Sequence, residues 1–277
     1  MFSIDSNDPT KLTLIGQPAD TLGEFPMSLS LSTKLNQACV ANSGAKNGIA
    51  CFYMCQTNGL IPLDTALRPF GLNQTTPPVG PTNTVSQTFF NADSSALITT
   101  VKGNPAVNNT GFLSVFPVVG NSVSTQETRS SPAGTAVLFG TALIPNSNNI
   151  FVTDASFGAA TLALSSTNIA TVQASTKIAD QAATCWATIS GVTGTGFVTD
   201  VAVNHLVEVD TGSGALIKEL NLTNGNPGMI DLEAAGNFIY ALSPGNATVS
   251  PAVTVFDVSG GSGSKPKILP TIRFILT

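Results

Sequence analysis

The phrase FVTDASFGAA starts at Phe151 and FVTDVAVNHL starts at Phe197, so one strand-and-turn text is written twice, 46 residues apart. This repeat constrains the fold more than any single motif. Units of roughly 40–50 residues in series are too small to bury their own faces and must stack on their neighbours. Period-two alternation runs through the chain, while Gly, Pro, Ser, Thr and β-branched residues interrupt every amphipathic helical stretch, which predicts an all-β fold of short strands.

With FVTD as a second strand, TAVLFGTALI and ATCWATIS supply first strands, TLALS and LVEVD third strands, and a further strand follows each. The same order recurs in TVSQTFF, SALITTVKGN, GFLSVFPV and SVSTQET, and in MIDLEA, NFIYALSPGN, AVTVFDV and PKILPTIRF. An earlier copy runs from MSLSLS through NQACVAN and GIACFYM to LIPL. That makes five full units. MFSID and LTLIGQP before them read as the third and fourth strands of a half unit, so Met1 is expected to fall inside the fold, as in a fragment or an alternative start. Four-stranded units in series describe antiparallel blades of a β-propeller; β-helix turns are shorter and sandwiches do not repeat. In FVTD, Phe151 and Thr153 are expected on one sheet face, and Val152 and Asp154 on the other.

Charged residues are only 10% of the 277, hydrophobic residues are 42%, and the formal net charge is −5. No basic stripe is available for phosphate, so nucleic acid is excluded as a partner. No run approaches 18 apolar residues, so no membrane-spanning segment is expected. An uncharged polar surface with sequons at Asn73, Asn108, Asn221 and Asn246 fits a secreted or cell-wall glycoprotein. Cys39 and Cys51 lie symmetrically about SGAKNG, so a hairpin there places them opposite each other within disulfide reach. Cys55 and Cys185 are then a second bridge or buried thiols. With one histidine, His205, and no Cys-x-x-Cys pair, no metal site is expected.

Several long phrases carry a family resemblance: MFSIDSNDPTKLTLIGQPA, ALRPFGLNQTTPPVGPTNTVSQTFF, VKGNPAVNNTGFLSVFPV, RSSPAGTAVLFG, QAATCWATISGVTGTGFVTDV, GNPGMIDLEAAGNFIYALSPGN and TVFDVSGGSG. From about Met1 to Ser264 the chain resembles the secreted fungal carboxymuconate-cyclase-like proteins, which are seven-bladed lactonase-type propellers. Residues 265–277 depart from them. The resemblance implies one incomplete propeller domain over residues 1–277, lacking a leader and about one and a half blades. It implies a monomer without cofactor, acting as an isomerase or lactonase on small carboxylated lactones or muconates.

The resemblance also implies a ligand face built from two kinds of loop. Glu24, Arg68 and Arg129 fall in loops joining the last strand of a unit to the first of the next. Asn104, Asp154, Asp200 and His205 fall at or near loops joining second to third strands. Lactonisation of a carboxymuconate needs arginines for carboxylates and an acid/base group, which nominates Arg68 and Arg129 as clamps and His205, Asp154 or Asp200 as proton carrier. Arg68 precedes a proline, which favours an extended backbone and a projecting guanidinium. The competing reading holds the arginines to loop carbonyls or a neighbouring acid such as Glu24, and makes the aspartates turn caps. It leaves a non-catalytic secreted glycoprotein or antigen that binds through its loop face.

Overall fold

The computed structural model describes residues 1–274. It contains short strands and a single 3₁₀ turn, with no α-helix among the described residues. The chain divides into two compact units, one of Met1–Lys102 with Leu113–Arg129, the other of Gly103–Phe112 with the chain from Ser130 onward.

The first unit opens with a hairpin, β1 (Phe2–Ile4) and β2 (Leu12–Leu14). Its first sheet holds β3 (Pro26–Ser32), β4 (Gln37–Asn42), β5 (Gly48–Cys55) and β6 (Gly59–Pro62) in sequence order, with β7 (Arg68–Pro69) also pairing β5. Its second sheet holds β8 (Val85–Phe90), β9 (Ala96–Val101), β10 (Phe112–Val119) and β11 (Ser122–Val123), with β12 (Thr128–Ser130) pairing β10. Cys39 and Cys51 stand opposite each other in the β4–β5 register and form the expected disulfide. Cys55 and Cys185 are not joined in a second bridge; Cys185 is buried, with its thiol donating to Ile230 O at 3.5 Å, and Cys55 is half-buried.

SLSLS in β3 orients against the usual rule. Ser28 and Ser30 face the second sheet, where their hydroxyls accept the N–H of Thr88 and Phe90, each at 2.9 Å. Ser43 does the same for Val85 N–H at 2.9 Å. These amides belong to β8, the edge strand of its sheet, and would otherwise be buried without a ladder partner. The alternating Leu29 and Leu31 lie on the opposite face and are each 58% exposed.

The second unit carries three sheets. One holds β13 (Leu138–Leu143), β14 (Ile150–Asp154), β15 (Gly158–Leu164) and β16 (Ala170–Lys177), and the next holds β17 (Thr184–Ile189), β18 (Gly196–Asp200), β19 (His205–Val209) and β20 (Leu216–Asn221). The last holds β21 (Asp231–Ala235), β22 (Phe238–Ser243), β23 (Ala252–Asp257) and β24 (Lys267–Ile268), with β25 (Ile272–Arg273) also pairing β23. The segment from Lys265 thus supplies outer strands of this sheet; its final three residues lie outside the described residues.

The repeated phrase takes equivalent positions in two consecutive sheets. Phe151 on β14 packs onto Ala187, Val198, Val207 and Val209 of the following sheet. Phe197 on β18 packs onto Met229, Leu232, Ile239 and Phe256 around the one after. Val198, one residue on, faces back toward Phe151, so each strand feeds two interfaces. The ring of Phe151 lies so close over β18 that a Cβ at Gly196 would sit 2.5 Å from it. Both phenylalanines are fully buried. Phe151→Ala and Phe197→Ala are therefore each expected to cost about 3–5 kcal/mol in urea denaturation. A cost below 1 kcal/mol at either position would contradict the packing.

Candidate functional site

In the first unit Arg68 is 6% exposed and buried among partners. Its Nη1 pairs with Asp64, its Nε donates to Ser124 O at 2.8 Å and its Nη2 to Val123 O at 3.0 Å. Asp64 also accepts the Cys51 N–H at 2.6 Å. The extended backbone before proline holds, since β7 pairs with β5 through Ile49↔Arg68. The guanidinium turns inward because the chain end of β11 offers it two carbonyls. Asp64 lies four residues before Arg68, a spacing that carried no signal without a helix to align the two.

Arg129 on β12 keeps a more open position, with 38% of its side chain exposed. Its Nε donates to Glu127 Oε1 at 3.1 Å, its Nη2 also reaches Glu127, and Nη2 donates to Phe70 O at 2.9 Å. The other carboxylate oxygen of Glu127 accepts the Ser114 hydroxyl. Arg129 thus touches Phe70, the residue following Arg68–Pro69. Glu127 is the residue that sequence reasoning passed over, although ETR puts both charges on one face of an extended segment. Glu24 accepts the Thr76 hydroxyl at 2.5 Å and lies 3.8 Å from Lys46 Nζ.

In the second unit Asp154 and Asp200 do the same job twice. Asp154 accepts N–H groups from Ala136, Val137 and Ser156, at 2.7, 3.0 and 2.9 Å, and the Ser156 hydroxyl at 2.6 Å. Asp200 accepts N–H groups from Ala182, Ala183, Ala202 and Val203 at 2.9, 2.8, 2.8 and 3.0 Å. Each buried carboxylate ties the turn after its strand to the chain entering the first strand of the same sheet. Four donors occupy the lone pairs that an acid/base role would use. Asn104 caps the 3₁₀ turn Pro105–Val107 by accepting the Ala106 N–H at 3.2 Å.

His205 opens β19 and is fully buried. Its Nδ1 lies 2.8 Å from Glu219 Oε1 on the neighbouring strand, while Nε2 has no partner among the described residues. Glu219 follows from the β19–β20 register, which a sequence without strand pairing does not show. The sequon residues Asn73, Asn108, Asn221 and Asn246 are all exposed. Among the described residues no group of three or more His, Cys, Asp or Glu side chains is arranged to hold a metal.

One further cleft, of about 160 Å³, lies on the last sheet and is lined by Asp231, Glu233, Tyr240, Leu242, Val253 and Leu232. Asp231 and Glu233 are exposed as residues, but the cleft desolvates their carboxyls in part, and this holds the Asp231 carboxyl above its ordinary range. Burial first, and then the Asp231 charge, do the same to Glu233.

No protein-family model and no curated protein sequence matches the chain. Solved structures do. A Lactobacillus plantarum protein is similar with a TM-score of 0.67 at 16% identity, over 98% of this chain and 77% of that one. The periplasmic gluconolactonase of Pseudomonas aeruginosa reaches 0.69 at 12% identity, over 98% and 78%. A Bacteroides uniformis protein provisionally assigned as a 6-phosphogluconolactonase reaches 0.66 at 14% identity, over 90% and 72%. The likeness shows the fold alone, the serial four-stranded antiparallel sheets of a β-propeller. No helix among the described residues is long and apolar enough to cross a membrane.

The acidic cleft generates a pH dependence. Raised carboxyl pKa values mean that the folded protein holds these protons more tightly than the unfolded chain does. The stability they contribute is complete below the ordinary carboxylate range near pH 4 and is lost as pH rises through the raised values. Glu233→Gln is therefore expected to have a higher urea midpoint than wild type at pH 7 and to converge with it at about pH 3. A lower midpoint at pH 7 would contradict the assignment.

Proposed function

We propose that this chain is a lactonase-type propeller protein that opens or closes a lactone ring on a small carboxylated molecule, without a cofactor. Arg129 binds a substrate carboxylate and Glu127 moves the proton. The observation that carries this reading is the placement of Arg129: among the sequence candidates it is the cation that keeps a partly exposed guanidinium directly beside a carboxylate. In hydrolysis, water adds to the ring acyl carbon, the ring C–O bond breaks, and Glu127 relays the proton lost by water to the departing alkoxide. In ring closure of a muconate, a substrate carboxylate oxygen adds to the C=C bond, the π electrons move to the neighbouring carbon, and Glu127, in its acid form, delivers the proton to that carbon. Arg68 contributes by holding the Val123 and Ser124 carbonyls just ahead of Glu127. The burial of His205, Asp154 and Asp200 supports a framework role for all three. The Cys39–Cys51 disulfide and the exposed sequons support an exported, glycosylated protein of the secreted or cell-wall type. The gluconolactonase name of the Pseudomonas structure supports lactones as the substrate class, with fold analogy as its only warrant.

The second reading is a non-catalytic glycoprotein that binds through its loops, favoured by the fully engaged carboxylates of Asp154 and Asp200. One experiment separates the two. Purified protein is incubated with carboxymuconate and with simple aldonolactones while absorbance is followed. The enzyme reading expects turnover that falls about 100-fold or more in Arg129→Ala and in Glu127→Gln, with thermal midpoints near wild type. Turnover unchanged in Arg129→Ala removes the assignment, and no turnover with any substrate leaves the binding reading.

A further inference from the structure

FLSVFPVV in β10 sets a serine among buried apolar residues: Leu113, Ser114, Val115 and Phe116 are each no more than 1% exposed. A hydroxyl in such a place gives up its hydration and needs a partner in return. Strand pairing supplies one. β12 pairs with β10, which brings Glu127, the residue just ahead of β12, alongside Ser114. The Ser114 hydroxyl donates to Glu127 Oε2, while Glu127 Oε1 takes the Nε and Nη2 of Arg129. The two carboxylate oxygens are thus divided between a buried hydroxyl and a partly exposed cation.

These partners act differently. The Arg129 and Glu127 side chains are 38% and 20% exposed, and an ion pair between two long side chains near water is screened and leaves both free to change rotamer. Ser114 has no such freedom, because it stands on a buried strand paired with β9, β11 and β12. A charge-assisted hydrogen bond from a fixed hydroxyl is short and directional, so it sets the plane of the carboxylate and which oxygen turns outward. A serine hydroxyl on a carboxylate is also the arrangement of a nucleophile with its base. Burial decides against that role, since an acyl carbon cannot approach a side chain that is 0% exposed. We infer, on the reading of Glu127 as the proton carrier, that Ser114 is its positioning residue: it holds Oε2 on the inner side so that Oε1 stays beside Arg129, where the substrate carboxylate binds.

The test is a cycle of Ser114→Ala, Glu127→Gln and the double variant in the full chain, with kcat and KM measured on the lactone or muconate that the wild type turns over. Ser114→Ala is expected to lower kcat about 10-fold or more, because a misplaced proton carrier is costly, and to leave KM within about threefold, because Arg129 still binds the substrate carboxylate. In the Glu127→Gln background the same change is expected to alter kcat by less than about twofold, since the group that Ser114 positions no longer carries a proton. An unchanged kcat in Ser114→Ala beside a large loss in Glu127→Gln overturns the role of Ser114 alone. A Ser114→Ala loss that persists in full in the Glu127→Gln background overturns it as well, because it marks a general structural effect. Unchanged turnover in Glu127→Gln instead overturns the proton-carrier reading itself. Crystal structures of the wild type and Ser114→Ala give a readout that needs no substrate: the Glu127 side chain is expected to leave its wild-type rotamer while the backbones of β10 and β12 superimpose. A Glu127 carboxylate found at its wild-type place in Ser114→Ala overturns the role of Ser114.

Discussion

Sheets stacked face to face leave first strands such as β8 and β21 at an edge, and the unpaired N–H groups of those edges are the constraint on which the rest depends. They lie inside the protein, where water cannot reach them. The chain answers with hydroxyls from the preceding sheet. Ser28, Ser30 and Ser43 serve β8, and Thr188 accepts the Ala234 N–H of β21 at 3.2 Å. A hydroxyl is short enough to sit between packed sheets and neutral enough to be buried without a counter-charge. The scarcity of charged residues follows from this: the interior polarity of the fold is built from Ser, Thr and Asn.

Where charge is buried, it is committed to backbone. Asp154 and Asp200 each gather four donors from two chain segments, and Arg68 holds two carbonyls of a neighbouring sheet while paired with Asp64. A buried charge survives only with that degree of pairing. Asp154, Asp200 and Arg68, which look chemical in the sequence, thus spend most of their hydrogen-bonding capacity on backbone groups. Among the arginines nominated from the sequence, Arg129 stays partly exposed, paired with Glu127 just ahead of the short strand β12. Fold likeness to lactonases makes that pair worth testing but does not itself place a reaction there, because propellers host unrelated functions on the same sheets.

The strands were legible because period-two alternation and the repeat report the same physics that stacks the sheets. FVTD at 151 and 197 gave both the second strand and its burial, and the hairpin symmetry of Cys39 and Cys51 gave a disulfide. The site was less legible. Glu127 and Glu219 acquire meaning through partners that strand register brings together, and the inward turn of Arg68 depends on carbonyls more than fifty residues away in the chain. The exposed leucines of β3 show the same limit: alternation predicted two faces but not that the serine face would be the buried one.

The sequence by itself determined an all-β chain of short strands, its four-strand period, the facing positions of Cys39 and Cys51 and the low-charge character, because these follow from local patterning and composition. Only the tertiary structure decided which side chains face a neighbouring sheet and which polar atoms are consumed there. Those outcomes rest on hydrogen bonds between residues distant in sequence, whose partners exist only once the sheets have stacked.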